Sequence, residues 1–334
     1  ATALGTADDD PMVWHRAKGA NVIDVDGNVF VDLTAGFGVA SIGHSHPHVV
    51  RAIQRQSEQL LHAMGDAFPD ERRIELLETL AERTGYERAI LGSSGSDAVE
   101  AALKTAKMAT GKPGVLAFEG SYHGLSYGAL ATTHYKHTAF RTPFSEQLGR
   151  HVQHHPYGVD LPSLDGFGAV LVEPIQGRGG MVVPPNGWLA GVLERARRAG
   201  AVVIFDEIYT GFGRTGGWLR AHAEDLRPDL VCIGKGMGGG LPISACMGTA
   251  TVMDAWGASR GEAIHTQTFL GHPLGCASAL ACIEVLETVI PGVADTSIWL
   301  RERIEQSGFT CRGAGLMLGI ELEAPLKVSR LLAS

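Results

Sequence analysis

Charge is scarce in this chain of 334 residues: Asp, Glu, Lys and Arg together make up 19%, below the rough quarter of an ordinary soluble domain. Positive charge is the scarcer sign, with 28 Lys and Arg against 36 Asp and Glu, a formal net charge of -8. A nucleic-acid surface needs clustered positive charge, so no such partner is expected. There is no run of about eighteen uncharged apolar residues, so no membrane span is expected. A basic-then-apolar leader is also missing. The five cysteines (Cys232, Cys246, Cys276, Cys282 and Cys311) form no CxxC pair and are odd in number. Reduced thiols in a cytoplasmic protein are the plain expectation. Neither GxxxxGK[ST] nor GxGxxG occurs, which removes the nucleotide-binding fingerprints.

Glycine, by contrast, is abundant. Forty-four glycines without a low-complexity tract mean many tight turns and many close backbone approaches. At 45% hydrophobic, the chain is long enough for one large core and a smaller second one.

Asn21 to Leu33 alternates apolar and polar residues around Asp26-Gly27, a β-hairpin pattern. Apolar residues recur at helical spacing over Pro47–Leu61 and Asp70–Thr84. A repeating unit follows: a short apolar run, a turn, a helix. The runs are Ala89–Leu91, Val115–Phe118, Ala169–Val172, Val202–Phe205 and Leu230–Ile233, with helices such as Asp97–Ala109 and Pro185–Ala199 between them. Such runs predict buried parallel strands with crossover helices. The segment after Pro273 predicts a deeply packed helix. A helix over Trp299–Gln306 and a Gly-rich strand over Cys311–Leu322 start a second, smaller domain.

Ligands bind outside the carboxyl ends of the strands in an open parallel sheet, so the residues after each run are informative. Ser93-Ser94-Gly95-Ser96 follows the first and precedes a helix, whose free N–H groups suit a phosphate. An ordinary N-cap is the alternative. Tyr122 follows the second run and can stack on a flat ring. Glu173 follows the third. Asp206 ends a buried strand, where a carboxylate needs a cation. The pyridinium nitrogen of pyridoxal 5'-phosphate (PLP) would serve, and so would a core salt bridge or a metal. Lys235 lies between an apolar strand and Gly236-Met237-Gly238-Gly239-Gly240. Desolvation there lowers an amine from its usual pKa of about 10.4 and frees its lone pair to attack an aldehyde. A structural lysine satisfied by carbonyls is the alternative. The histidines of Gly43–His48 could suggest a metal, but a turn before a helix is the expected role, and no metal site is expected.

These segments resemble the class III (ω-amino acid, ornithine-type) aminotransferases of PLP fold type I. The resemblance runs from about Trp14 to Glu323 through GHSHPHV (43–49), SSGSDAVEAALKTAK (93–107), EGSYHG (119–124), VEPIQGRGG (172–180), IFDEIYTGFGRTG (204–216), IGKGMGGGLPISA (233–245), HTQTFLGHPLGCASA (265–279) and RGAGLMLGIEL (312–322).

It implies an α/β fold with a mostly parallel seven-stranded sheet flanked by helices in a large PLP-binding domain, residues 46–290. A small α+β domain would be built from both chain ends, 1–45 and 291–334. The implied activity is PLP-dependent transamination between a small amine or amino acid and a 2-oxo acid, aldehyde or ketone. Racemase, decarboxylase or aminomutase chemistry on the same fold is the alternative.

Carried over by position, the resemblance makes Lys235 the Schiff-base lysine and proton shuttle. Asp206 would pair with the pyridine nitrogen, while Gly95 and Ser96, helped by Ser94, hold the phosphate. Tyr122 and Ile208 would cover the two ring faces. Thr268 would reach the phosphate of a neighbouring subunit, so that a homodimer shares its sites. Glu173 would lie near the substrate, with Phe37 and Met64 as further pocket candidates or simply core residues.

Three departures accompany the resemblance. Tyr209 stands where Gln is frequent, and Arg178 where many members have Glu. An inward Arg178 would favour anionic over cationic groups; a surface arginine is the alternative. Family members also continue well past RGAGLMLGIEL and there supply a carboxylate-gripping arginine. Parts of the natural protein are therefore expected to lie outside this sequence.

Overall fold

The computed structural model describes residues 12–65, 67–258 and 261–321. Its centre is a seven-stranded sheet: β4 (Arg88–Gly92), β5 (Gly114–Phe118), β6 (Val152–His155), β7 (Phe167–Val172), β8 (Val202–Asp206), β9 (Leu230–Ile233) and β10 (Ser244–Gly248). The spatial order is β4-β10-β9-β8-β7-β5-β6. Neighbours from β6 to β9 pair in parallel, whereas β10 runs antiparallel to both β9 and β4. The sheet is thus mostly parallel, as the resemblance implies, and Ala89–Leu91 is parallel to the central strands only across an inserted antiparallel one.

The central strands are apolar throughout because both faces are covered. Leu171, Ile204 and Cys232 pack under the helix Gly95–Thr110, together with its Ala98, Ala102 and Ala106. The alternate residues Val170, Val203 and Val231 face the opposite layer, with Leu189 and Val192 of the helix Trp188–Ala199 and Ile283 of the helix Pro273–Val289. The two-residue side-chain period of a strand thus divides one sequence run between two cores.

The helix boundaries have local causes. Asp70 caps Glu71–Thr84 by accepting from the Arg73 amide, and left-handed Gly85 ends it. Ser94 and Asp97 form a capping box on Gly95–Thr110, so this helix starts two residues before the expected Asp97. Pro273–Gln306 is a continuous helical run long and apolar enough, by length and composition, to cross a membrane. Yet 56% of its most apolar eighteen-residue window is buried inside the protein. It packs against the helices Pro47–Gln59 and Glu71–Thr84, as a core helix does.

The N-terminal hairpin is present as β2 (Asn21–Asp24) and β3 (Val29–Val31), extended by β1 (Trp14–Lys18) into a three-stranded antiparallel sheet. Asp24 holds the turn by accepting from the amides of Asp26 and Asn28. The Gly-rich strand expected over Cys311–Leu322 is instead a hairpin, β11 (Cys311–Ala314) and β12 (Met317–Ile320), turned at left-handed Gly315. Leu322 and the rest of the expected small domain to residue 334 lie outside the described residues.

Candidate active site

The carboxyl ends of β4, β5, β7, β8 and β9 converge on one cavity of about 660 Å³, to which they contribute Ser94–Ser96, Tyr122, Glu173, Asp206 and Lys235. Phe37, Arg178, Ile208 and Tyr209 also line it. Thr268 and Met64 are outside this lining. Both are exposed, on neighbouring segments joined by an edge contact between His62 and Phe269. Phe37 reaches the cavity from a left-handed backbone and is 72% exposed, so neither it nor Met64 belongs to the core.

Lys235 opens a tight 3-10 turn right after β9, in the left-handed region at φ 37°. Such a conformation costs a non-glycine residue on the order of 1–3 kcal/mol and clusters at functional sites. Burial lowers the ammonium pKa, with Asp206 and Glu173 opposing that shift. The amine lies 4.8 Å from the centre of the Tyr209 ring, and no hydrogen bond or ion pair to it occurs among the described residues. The alternative of a lysine satisfied by carbonyls is therefore not what the geometry shows.

Asp206 is 5% exposed. Its Oδ2 lies 2.7 Å from His123 Nδ1, and its Oδ1 accepts from the Ile208 amide at 3.1 Å. His123 is itself fully enclosed, and its Nε2 has no partner among the described residues. This histidine was missed in the sequence. The signal available was the need of a buried carboxylate for a donor, but nothing local says which of fourteen histidines supplies it.

The nest at the start of Gly95–Thr110 is divided. The Ser94 hydroxyl accepts from the Asp97 amide and Asp97 accepts from the amides of Ser93 and Ser94, so the capping alternative holds for that side chain. The amides of Gly95 and Ser96, in the first turn, have no intrahelical acceptor and remain available to an anion. Gly95 and Ile208 approach closely: a Cβ on Gly95 would come within 2.9 Å of Ile208 Cδ1, which would have to move aside. Ile208 thus floors the cavity against the nest, as a residue packing on a flat ring must.

Tyr209 points inward. Its ring threads between two glycines, where a Cβ on Gly38 or Gly177 would approach ring carbons to 2.3 and 2.5 Å respectively. Burial raises its phenol pKa, with Arg214 and Arg178 pulling it down. Glu207, the second carboxylate after β8, turns away from the cavity to accept from the amides of Arg220 and Ala221. The histidine cluster precedes the helix Pro47–Gln59, as the expected turn does; in addition His46 caps that helix, His44 pairs with Asp32 at 2.8 Å and His48 with Glu284.

A planar aldehyde bearing a phosphate fits these walls: an unpaired amine, a buried acid backed by a donor, an apolar floor and a helix mouth. The chain matches the family Aminotransferase class-III over residues 5–333. This chain is a class III aminotransferase.

Its cofactor is PLP. The aminotransferase is 38% identical over 326 residues to the acetylornithine aminotransferase of Methanosarcina acetivorans, covering 94% of this chain and 80% of that protein. It is 37% identical over 329 residues to that of Mycobacterium tuberculosis, with 94% and 80% covered. Among solved structures, the ornithine aminotransferase of Toxoplasma gondii superposes with a TM-score of 0.86 at 31% identity, over 95% of this chain and 79% of that one. A PLP-bound amine transaminase from an uncultivated Pseudomonas species gives 0.86 at 26%, over 94% and 82%. The fold is PLP fold type I and the activity is PLP-dependent transamination. Racemase, decarboxylase and aminomutase chemistry is not favoured, since these curated relatives and solved structures are transaminases.

Glu173 is the other buried acid of the aminotransferase's site. Burial pushes its pKa up to about 7; His123 lowers it and Asp206 raises it. The Tyr122 and Gly177 amides donate to its two oxygens at 2.9 and 3.0 Å. The folded protein thus keeps a proton that the unfolded chain, with a value near 4.5, releases. The stability linked to this group is full below about pH 4.5 and lost as the pH rises to about 7, on the order of 3 kcal/mol. The gap in melting temperature between wild type and Glu173→Gln should shift against wild type between about pH 5 and 7. A gap that stays constant would show that Glu173 titrates normally.

Proposed function

We propose that the chain moves amino groups between a small amine or amino acid and a 2-oxo acid, aldehyde or ketone, using the cavity at the carboxyl edge of its sheet. The observation that carries this is the meeting of Lys235, Asp206 and the Gly95–Ser96 amides on one cavity. When bound, PLP supplies an aldehyde for covalent capture of amines and a ring that accepts electrons from the substrate carbon.

The chain's own residues do the rest. Lys235 Nζ, whose pKa burial lowers, would hold the aldehyde and then move a proton at the substrate carbon. Asp206, held by His123 and the Ile208 amide, would pair with the ring nitrogen and favour its protonated form. The Gly95 and Ser96 amides, with the Ser94 backbone held by Asp97 and Ser244, bind the phosphate. Tyr122 and Ile208 take the two ring faces. Glu173 and Phe37 lie toward the substrate.

Thr268 is assigned to the phosphate of a second subunit in a homodimer. Supporting this, it is exposed and away from its own chain's cavity. Its segment and the one it meets through His62 and Phe269 also carry apolar residues left open, Leu61, Met64, Phe68, Ile264 and Phe269, each at least 59% exposed. Met64 is assigned to the same interface. Residues 46–290 are assigned to the cofactor-binding domain and both chain ends to the small domain. A cytoplasmic location is proposed from the five cysteines, all unpaired.

The test is a screen of amino donors against 2-oxoglutarate and pyruvate with purified PLP-loaded protein, following the cofactor spectrum and the oxo product. Equimolar conversion of donor to oxo product and acceptor to amine is expected. Cofactor binding without transfer to either acceptor from any donor would overturn the reading.

A further inference from the structure

Arg178 is an exposed charge on the cavity wall whose contacts among the described residues are with aromatic rings. The Arg178 guanidinium lies 4.4 Å from the centre of the Tyr122 ring and 5.9 Å from that of Tyr135. Phe140 meets both rings at 6.3 and 6.4 Å, so the arginine rests on a platform of three aromatic residues. Its hydrogen-bond donors engage no group among the described residues. A guanidinium stacked by its face keeps its edge free, and that edge matches a carboxylate in two parallel hydrogen bonds. Lys136 is held nearby in the same manner, 5.5 Å over Tyr135.

The acids in the lining, Glu173 and Asp206, do not pair with Arg178. Glu173 gives its two oxygens to the Tyr122 and Gly177 amides, and Asp206 gives its own to His123 and the Ile208 amide. Arg178 lines the same cavity as Lys235 and Tyr209. The backbone beneath it is fixed: Gln176 and Val182 bridge across the turn, and the Gly180 carbonyl accepts from Arg312.

We propose that Arg178 is a specificity-determining residue that seats an anionic group, a carboxylate, at the end of the substrate remote from the nitrogen being transferred. This rests on the amino-transfer reading above. Amines that end in a carboxylate are preferred, neutral ones are poorer, and those ending in a second ammonium are rejected by the rim.

Three donors of one length separate these cases: 5-aminopentanoate, pentylamine and 1,5-diaminopentane. With PLP-loaded wild type, kcat/KM should fall in that order, by about tenfold or more at the first step, as one charge-assisted pair predicts. Arg178→Met should bring the ratio of the first two donors to within about threefold, and Arg178→Glu should place the diamine first. Arg178→Lys should recover only part of the ratio, because a point charge lacks the planar fork. A wild-type ratio retained in Arg178→Met overturns the proposal. So does a weakened affinity for PLP with an unchanged ratio, which would assign the arginine to the cofactor phosphate.

Glutarate, which has no amine to transfer, supplies a second readout by calorimetry. It should bind the wild type at least about tenfold more tightly than Arg178→Met. Equal binding sinks this inference and leaves amino transfer standing. Unequal binding in a protein that transfers no amine sinks the amino-transfer reading instead.

Discussion

Lys235→Ala should lose amino transfer by at least about a thousandfold, the span of a missing acid–base group together with a missing nucleophile. The cavity walls do not depend on this side chain, because among the described residues it makes no hydrogen bond or ion pair that its removal would break. The variant should therefore remain folded, with a melting temperature close to that of the wild type or above it once the cost of burying the amine is gone. Two measurements check the assignment together. Steady-state turnover should collapse, and borohydride treatment with PLP should no longer fix the cofactor to the peptide containing residue 235. Turnover near the wild-type level, or the cofactor fixed to another lysine in wild type, would remove Lys235 from the chemistry.

Asp206→Asn is the second large effect. The substitution keeps the shape of the side chain and removes its charge, while His123 stays enclosed beside it. Breaking a buried charged pair from one side costs about 3–5 kcal/mol. Expressed in turnover and cofactor affinity, that is about two to four orders of magnitude. The loss should fall on both quantities, since the same carboxylate both holds the ring nitrogen and keeps it protonated. A variant that binds PLP as tightly as wild type and turns over within about tenfold would mean that Asp206 serves only His123. His123→Asn adds a control of a different kind. It removes the imidazole supporting Asp206 while leaving the acid in place, so a smaller loss than that of Asp206→Asn is expected.

Much of the fold was legible because its signals are local. The runs Val202–Phe205 and Leu230–Ile233 are apolar at every position since both faces of a central parallel strand are covered, and each run is a strand in the structure. β6, with the sequence VQHH, and β10, with SACMG, escaped notice for opposite reasons. β6 pairs only with β5, at the edge of the sheet, where polar residues are tolerated. The residues of β10 are small and hold a strand only because β4 and β9 supply hydrogen bonds on both sides. The hairpin Cys311–Ile320 looks like a single strand in the sequence because the left-handed turn at Gly315 is one glycine among many.

By itself the sequence determined which residues follow the strand ends, and hence that a lysine, an acid and a helix mouth share one rim of one sheet. That follows from chain connectivity: a parallel sheet with crossover helices delivers every carboxyl end to the same edge. Only the tertiary structure decided which side chains turn into the cavity and what each touches. It gave His123 to Asp206, sent Glu207 away from the site, slotted Tyr209 between Gly38 and Gly177 and laid Arg178 on Tyr122. These pairings join residues up to 171 positions apart, as with Gly38 and Tyr209. They depend on distances and rotamers that no local pattern encodes, because a side chain's direction is set by what packs against it.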